Sequence, residues 1–185
     1  NSLRFPLAAP SANISSKLSP TSAKDVFEEF GNKIKFILDG GQCNIGLEST
    51  IIDLTGKPSI LRPGGINIEK IQKILKRKIR IKKNPKKINA PGQLKLHYSP
   101  GIPLEMNKHK ARKNQAFIGF GKKFKSGKNY FNLSKSGDLK EAANNLYKTM
   151  RKIKRKKFKS IAVVKIPDTD IGCAINDRLR KASNK

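Results

Sequence analysis

The sequence predicts an α/β protein made of two pieces, and two patterns along the chain lead to that prediction. In residues 1–82, short apolar runs are separated by tight turns, which is typical of an antiparallel or mixed sheet. After residue 100, apolar runs alternate with helical periodicity, which is typical of a small parallel α/β unit. Residues 83–100 carry three prolines and no core periodicity, so we interpret them as a linker between the two pieces.

The first piece is predicted to hold three strands and two helices. Ser22 and Asp25 form a capping pair at the start of the first helix, and Gly31 ends it. The turn at residues 39–41 contains two glycines, which adopt positive φ without steric cost. The predicted elements are a helix over 22–30, strands over 34–38, 47–54 and 59–62, and a helix over 68–76.

The second piece is predicted to alternate between strands and helices. Apolar residues from Leu139 to Ile153 recur at helical spacing, so one face of this helix should be buried. The predicted elements are strands over 116–120 and 129–133, a helix over 138–154, a strand over 160–166 and a helix over 171–182. Such an order favours a parallel sheet covered by helices.

The net charge of +28 is unevenly distributed along the chain. Residues 1–62 carry seven basic and six acidic residues, whereas residues 63–185 carry thirty-four basic and seven acidic ones. The densest run, residues 76–87, has eight basic residues in twelve and no aromatic residue among them. A solvated lysine-rich surface is one interpretation, and a face that attracts RNA is the other.

The expected compartment is the cytoplasm, with no association with a membrane. No apolar run has the length that a membrane span requires, and the N-terminus does not resemble a signal peptide. Cys43 and Cys173 are far apart and form no C-x-x-C pair, so neither a disulfide framework nor a zinc site is indicated. Both cysteines are expected to be small buried residues.

Several catalytic and metal patterns are absent. Residues 121–128 resemble a phosphate-binding loop in their glycines and lysines, but the glycine spacing is wrong and no helix follows, so we reject this interpretation. His97 and His109 have no partners at metal-ligand spacing, so no metal site is predicted. No Ser-His-Asp set can be assembled from the sequence.

A hydroxyl-rich segment at residues 10–21 is the first candidate for ligand binding. It contains four serines, a threonine, an asparagine and two prolines between an apolar lead-in and the first helix. These residues favour a structured loop rather than a core element. Loops held on a rigid scaffold often contact ligands, although a capping loop without a ligand would have the same composition.

Two strand ends supply further candidates. Gly46-Leu47-Glu48-Ser49-Thr50 places one charged and two hydroxyl residues at the start of an apolar strand. Leu61-Arg62-Pro63-Gly64-Gly65 places an arginine before a turn whose N–H groups can face an anion. Arg62 would suit a phosphate, because a guanidinium donates paired hydrogen bonds and keeps its proton. An arginine at such a position, taken alone, more often forms a structural salt bridge, and Ser49 alone is an ordinary strand residue.

Together, these motifs resemble the two-domain threonylcarbamoyl-AMP synthase family, in which a YrdC-like domain precedes a C-terminal extension domain. The resemblance rests on Pro10-Ser11-Ala12-Asn13 with Ser19-Pro20-Thr21, Gly46-Leu47-Glu48-Ser49-Thr50-Ile51, Leu61-Arg62-Pro63-Gly64, and Ala90-Pro91-Gly92 with His97-Tyr98-Ser99-Pro100. Residues 172–182 are similar to the family's C-terminal signature. The resemblance therefore covers essentially the whole chain.

The resemblance implies a domain division. Residues 1–82 would be the C-terminal part of a YrdC-like domain with a twisted mixed sheet, and residues 83–100 a linker and lid. Residues 101–185 would form a small, Rossmann-like parallel α/β extension domain.

The resemblance also implies a nucleotidyltransferase reaction, in which L-threonine, bicarbonate and ATP give threonylcarbamoyl-AMP and pyrophosphate, with Mg²⁺ assisting. By motif position, ATP would be bound by Ser11, Asn13, Ser19, Arg62 and Tyr98, and threonine by Ser49 and Ala9. Tyr98 would close over the site as a lid. No residue is assigned as a general acid or base.

The family's product feeds threonylcarbamoyladenosine modification of tRNA, so a downstream tRNA threonylcarbamoyl transferase complex is an expected partner. The YrdC-like fold is also associated with double-stranded RNA. An RNA-binding module without catalysis is therefore the alternative function, and a truncated remnant without activity is a third.

Departures from the family's pattern lead to a further expectation. The family's phosphate-gripping Lys/Arg motif and a threonine-binding arginine would lie upstream of this chain, and Arg4 does not match either position. Gln93 stands where methionine is common. We therefore expect an N-terminally incomplete sequence and an inactive isolated polypeptide.

Overall fold

A computed structural model describes residues 4–6, 8–82 and 88–184. The helices are α1 (Ala23–Phe30), α2 (Ile68–Leu75), α3 (Leu139–Arg155) and α4 (Gly172–Ser183), and a 3-10 turn covers Gly31–Lys33. The strands are β1 (Ile51–Asp53), β2 (Ser59–Arg62), β3 (Arg80–Ile81), β4 (Leu104–Glu105), β5 (Gln115–Gly119), β6 (Tyr130–Asn132) and β7 (Ser160–Val163). Within these ranges, the strands form one sheet of three and one of four. No helix of the described chain is long and apolar enough to cross a membrane.

The first sheet is mixed and has the order β1-β2-β3. β1 pairs antiparallel with β2, and β3 pairs parallel with β2 after the chain crosses through α2. The Asn67 side chain accepts hydrogen bonds from the first turn of α2, and Lys76, at φ 50°, ends the helix. The buried cluster of this piece is small and consists of Ile60, Ile71 and Ile79.

The second sheet is parallel throughout and has the order β4-β7-β5-β6. α3 connects β6 to β7, and α4 follows β7. Asp138 caps α3 by accepting hydrogen bonds from the backbone N–H groups of Lys140 and Glu141. From Ala142 to Ile153 the apolar face of α3 is buried in the main core of the protein, as the helical spacing predicts, and Leu139 is partly buried against it. The fold is therefore the predicted α/β class.

The structure corrects the prediction of a strand over 34–38. No strand of the described chain pairs with this segment, and Phe36 and Leu38 are 86% and 95% exposed. An apolar run forms a stable strand only when a neighbour supplies the ladder of hydrogen bonds. The predicted strand over 47–54 is likewise shortened to β1.

Two short strands and one cysteine were also mispredicted. The two-residue strands β3 and β4 were missed, because β3 lies in the basic run and two residues are too few for a period-2 pattern. Cys43 is exposed rather than buried, and Cys173 is partly buried. Of the predicted linker, residues 83–87 lie outside the described residues, while Ala90, Gly92 and Tyr98 are buried.

Candidate functional site

Arg62 lies at the end of β2 and is buried, at 8% exposure. Its Nε donates a hydrogen bond to the Ser49 carbonyl at 3.0 Å, and one terminal nitrogen donates to Ser49 Oγ at 3.2 Å. The other terminal nitrogen is 3.5 Å from the Pro91 carbonyl. Arg62 forms no ion pair with any carboxylate in the described chain. The guanidinium is therefore held in place by neutral oxygens, and its charge is available to an anion.

Tyr98 lies beside Arg62 and is 1% exposed. Its hydroxyl has no hydrogen-bond partner among the residues that the structure describes. Gly92 separates the two side chains: a Cβ on Gly92 would lie 2.2 Å from the Tyr98 hydroxyl and 3.1 Å from Arg62 Cδ. Only glycine fits at this position, because both the Tyr98 hydroxyl and the Arg62 side chain approach its Cα closely. Burial raises the pKa of Tyr98, which stays a neutral donor.

A buried ion pair between Glu48 and Arg178 lies next to this pair of side chains. The Glu48 carboxylate accepts from Arg178 Nε at 2.8 Å, from the Tyr147 hydroxyl at 3.1 Å and from the Ser19 hydroxyl. Burial would raise the pKa of Glu48, but the Arg178 charge and the Ser19 hydroxyl outweigh it, so the pKa is lowered. The carboxylate is therefore ionised at neutral pH.

Arg178 is fully buried and belongs to α4, in the second piece of the chain. It also donates to the Pro63 carbonyl at 2.7 Å and to Asp177 at 2.9 Å. Its guanidinium lies 4.9 Å from the centre of the Tyr98 ring. Burial would lower the pKa of Arg178, but Glu48 raises it above the ordinary value. Arg178 thus joins strand-end loops of the first piece to the linker.

The hydroxyl-rich loop is anchored on α3. Arg151 donates to the carbonyls of Ser19 at 2.9 Å and Leu18 at 2.8 Å, and its Nε is 3.5 Å from Asp25. Burial would raise the pKa of Asp25, but hydrogen bonds from Thr21 and the Arg151 charge outweigh it, so this pKa is lowered. The C-terminal end of the loop is therefore fixed by a charged pair.

The other predicted loop residues donate or accept no hydrogen bond with Arg62 in the part of the chain that the structure describes. The Asn13 side-chain amide donates to the Ile14 and Lys17 carbonyls, which holds the loop, and its buried oxygen has no partner within the described ranges. Ser11 and Ala9 are exposed. The structure therefore groups Ser49, Arg62 and Tyr98, connects Ser19 to them through Glu48, and leaves Ala9 and Ser11 at the surface.

His97 is hydrogen-bonded to the backbone of the residue that follows it. Its Nδ1 accepts the backbone N–H of Tyr98 at 2.9 Å, and burial lowers the pKa of the imidazole. In the described part of the chain, no group of three His, Cys, Asp or Glu side chains could hold a metal ion.

Sequence reasoning missed the roles of Glu48, Asp25, Arg151 and Arg178. Glu48 and Arg178 both lie within motifs that the sequence singles out, but they are 130 residues apart. The only sequence signal was a charged residue inside each motif, and nothing in the spacing indicated that the two would pair.

Two family models match the chain. The model described as "Threonylcarbamoyl-AMP synthase, C-terminal domain" matches residues 66–184, and the one described as "Telomere recombination" matches residues 1–64. Threonylcarbamoyl-AMP synthase of Pyrococcus abyssi is 39% identical over 200 residues, covering 96% of this chain and 58% of the relative. The Bacillus subtilis protein of the same name is 35% identical, covering 97% of this chain and 57% of the relative.

Solved structures agree with these matches. The crystal structure of P. abyssi Sua5 complexed with L-threonine has a TM-score of 0.82 at 35% identity, covering 94% of this chain and 56% of that one. A variant of the same protein, with a consecutive histidine and tyrosine replaced by alanine, has a TM-score of 0.77 at 34% identity and the same coverage. This chain thus spans somewhat more than half the length of these relatives. These matches cover both sheets of the protein. The chain therefore belongs to the threonylcarbamoyl-AMP synthase family.

Proposed function

We propose that this chain carries part of the site of an L-threonylcarbamoyladenylate synthase. The enzyme would convert L-threonine, bicarbonate and ATP into threonylcarbamoyl-AMP and pyrophosphate. The observation that carries the proposal is the buried Arg62, which has no carboxylate partner in the described chain and is hydrogen-bonded to Ser49 beside the unpartnered Tyr98 hydroxyl. A buried cation and an unused donor at one point suit an anionic ligand.

In this proposal the chain binds and orients its substrates without forming a covalent intermediate. Arg62 contacts a phosphate of ATP, and Ser11, Asn13, Ser19 and Tyr98 complete the nucleotide contacts. Catalysis then rests on positioning and on neutralising the charge of the triphosphate. The Ser19 hydroxyl donates to Glu48, so towards a ligand it presents its lone pairs.

Ser49 and Ala9 are the proposed threonine contacts. Ser49 Oγ accepts a hydrogen bond from Arg62, which leaves its proton free to donate to a carboxylate. The complex of P. abyssi Sua5 with L-threonine supports this amino acid as the substrate. The His-to-Ala and Tyr-to-Ala variant of that protein directs attention to the His-Tyr pair, which occurs in this sequence only as His97-Tyr98.

Mg²⁺ would supply further charge neutralisation on the phosphates. The described residues offer no group of three carboxylate, histidine or cysteine ligands. This fits an ion held mainly by phosphate oxygens and water, as Mg²⁺ often is in nucleotide sites.

The expected use of the product is the modification of tRNA through a tRNA threonylcarbamoyl transferase complex. Direct contact with RNA would use the basic residues beyond position 62 and should weaken steeply as salt rises. An RNA-binding module without catalysis is less favoured, because it would have no use for the Arg62, Ser49 and Tyr98 cluster.

The test compares two arginine variants of the protein as it occurs in its source cells. Arg62→Ala should lower threonine-dependent pyrophosphate release by about 100-fold or more, the usual scale for losing a preorganised charged donor. Arg112→Ala is the matched control, because Arg112 is exposed in the second piece and pairs with Glu105. RNA affinity should stay unchanged in Arg62→Ala. If Arg62→Ala kept normal turnover and lost RNA binding, Arg62 would be assigned to RNA binding and not to the synthase site.

A further inference from the structure

The amino-terminal edge of the second sheet carries a cluster of lysines. The strands of this sheet are parallel, so the segments that lead into β5, β6 and β7 meet at one edge. Lys113, Lys128 and Lys159, which we call the amino-edge lysines, each lie one or two residues before one of these strands, and all three are exposed. The Lys159 N–H donates to the Asn114 carbonyl at 3.3 Å, which joins two of the segments.

Further basic residues extend this cluster along the end of α3. Basic side chains near the C-terminus of a helix are partly explained by the helix dipole, but Lys113 and Lys128 precede strands and have no such explanation. In the described chain, none of the amino-edge lysines forms an ion pair with a carboxylate. The exposed basic residues that extend the cluster are Lys152, Lys154, Arg155, Lys156 and Lys157.

The acidic residues of the second piece are segregated from this edge. The segments 109–114, 125–129 and 152–159 contain no aspartate or glutamate. Asp138 and Glu141 lie at the start of α3, and Asp168 and Asp170 follow β7, so these four are at the opposite, carboxyl edge of the sheet. The carboxyl edge therefore carries charges of both signs, whereas the amino edge is positive and attracts anions.

The remaining two carboxylates of the second piece already have cationic partners. Glu105 pairs with Lys108 and Arg112. Asp177 pairs with two basic residues of α4, Arg178 and Lys181. Neither carboxylate neutralises an amino-edge lysine. A lysine-rich composition alone would not separate the two signs of charge in this way.

The side chains at the amino edge suit the phosphates of a nucleic acid duplex. Protein interfaces are enriched in aromatic residues and depleted in lysine, which is the reverse of this edge. Every large apolar side chain that is exposed in the described structure lies at or before Leu96. The amino edge thus offers no apolar anchor for a membrane and no aromatic ring on which unpaired bases could stack. A duplex presents its phosphates outward and keeps its bases paired.

We propose that the amino edge of the second sheet docks the phosphate backbone of a double-stranded nucleic acid, with the amino-edge lysines as contacts. Recognition there is independent of sequence, because phosphate contacts position a protein on a duplex without reading its bases. The proposed synthase reaction uses no nucleic acid, so this surface goes beyond the proposed function. RNA and DNA duplexes share the phosphate chemistry, and the test includes both.

The test uses the protein as it occurs in its source cells and a triple variant, Lys113→Ala with Lys128→Ala and Lys159→Ala. The probes are a fluorescent RNA duplex of about 20 base pairs and a DNA duplex of the same sequence. Fluorescence anisotropy gives the affinity over a series of salt concentrations. The triple variant should bind at least about tenfold more weakly, and its slope of log affinity against log salt should be shallower by about 2–3, roughly one for each lost phosphate contact.

The matched control removes the same charge from the opposite edge. Lys135, Lys140 and Lys165 are exposed and follow β6 or β7, and all three are replaced by alanine in one variant. This control should keep the salt slope of the wild type and an affinity within about twofold of it. Threonine-dependent pyrophosphate release should be unchanged in both triple variants. Absence of that release in the wild type would contradict the proposed function without affecting the docking surface.

The outcomes separate a local surface from attraction to net charge. Weaker binding of both duplexes by the amino-edge variant alone supports the surface for any duplex backbone, and weaker binding of the RNA duplex alone supports it for RNA. Equal losses in the two triple variants would overturn the proposal. Tighter binding to single-stranded RNA of the same length, or binding to vesicles of anionic lipid without binding to either duplex, would also overturn it.

Discussion

The two pieces of the chain differ in how completely they bury their apolar side chains. Every large apolar side chain that is exposed in the described structure lies between Phe5 and Leu96. The first sheet covers a cluster of only three buried isoleucines, whereas the second sheet and α3 enclose a continuous core. Leu18 and Tyr98, which precede the second piece in sequence, are part of that larger core.

This difference shows which piece positions the candidate site. Arg62 and Ser49 belong to the weakly packed first sheet and its flanking loops, but the groups around them are fixed from the second piece. Arg151 holds the hydroxyl-rich loop, and Arg178 holds Glu48 and contacts Tyr98. The well-packed piece therefore acts as the scaffold, and the loosely packed one contributes the loops of the candidate site.

The largest effect should come from removing a buried cation between the pieces. Arg151→Ala leaves two loop carbonyls without their donor and removes the nearer of the two cations beside Asp25. The free energy of unfolding should fall by about 3–5 kcal/mol. Urea denaturation followed by circular dichroism measures the change. Lys152→Ala is the matched control on α3: that side chain is exposed, so its loss should change the free energy of unfolding by at most about 0.5 kcal/mol. Equal losses would mean that α3 does not anchor the loop.

A smaller difference should separate the two cores. Leu146→Ala, in the tightly enclosed core, should cost about 4 kcal/mol, and Ile71→Ala, in the small cluster, about 2 kcal/mol, because a loosely packed site relaxes into the cavity. Leu146 is fully buried and Ile71 is 7% exposed. The measurement is again urea denaturation, with both midpoints and slopes compared. An equal or larger loss for Ile71→Ala would contradict the contrast in packing.

The same contrast explains which elements could be predicted from the sequence. The prediction of a helix over 138–154 differs from α3 by one residue at each end, because a long amphipathic pattern with an Asp138 cap is a local signal. The apolar run at 34–38 carries an equally plausible local signal, yet it forms no strand. A strand depends on a neighbour that the local sequence does not specify.

The candidate site also divides into residues with a local sequence signal and contacts that depend on distant parts of the chain. The sequence points to Arg62 and Ser49 because each lies at a strand end within a motif, and the structure places them in hydrogen-bond contact. The sequence does not predict the Glu48–Arg178 pair, because the pair depends on how two segments 130 residues apart pack against each other. Whether Ser11 and Ala9 contact a ligand stays a prediction.

The smallest effect is expected where the first piece is most exposed. The double variant Phe36→Ser with Leu38→Ser should change the free energy of unfolding by no more than about 0.5 kcal/mol, because surface substitutions rarely do more. Ile60→Ser is the control: this side chain is fully buried in the first sheet, so its polar replacement should be strongly destabilising. Both are measured in one series of urea titrations. A clear loss for the double variant would show that residues 34–38 are covered in solution, and the first piece would then have a packing surface besides its three-stranded sheet.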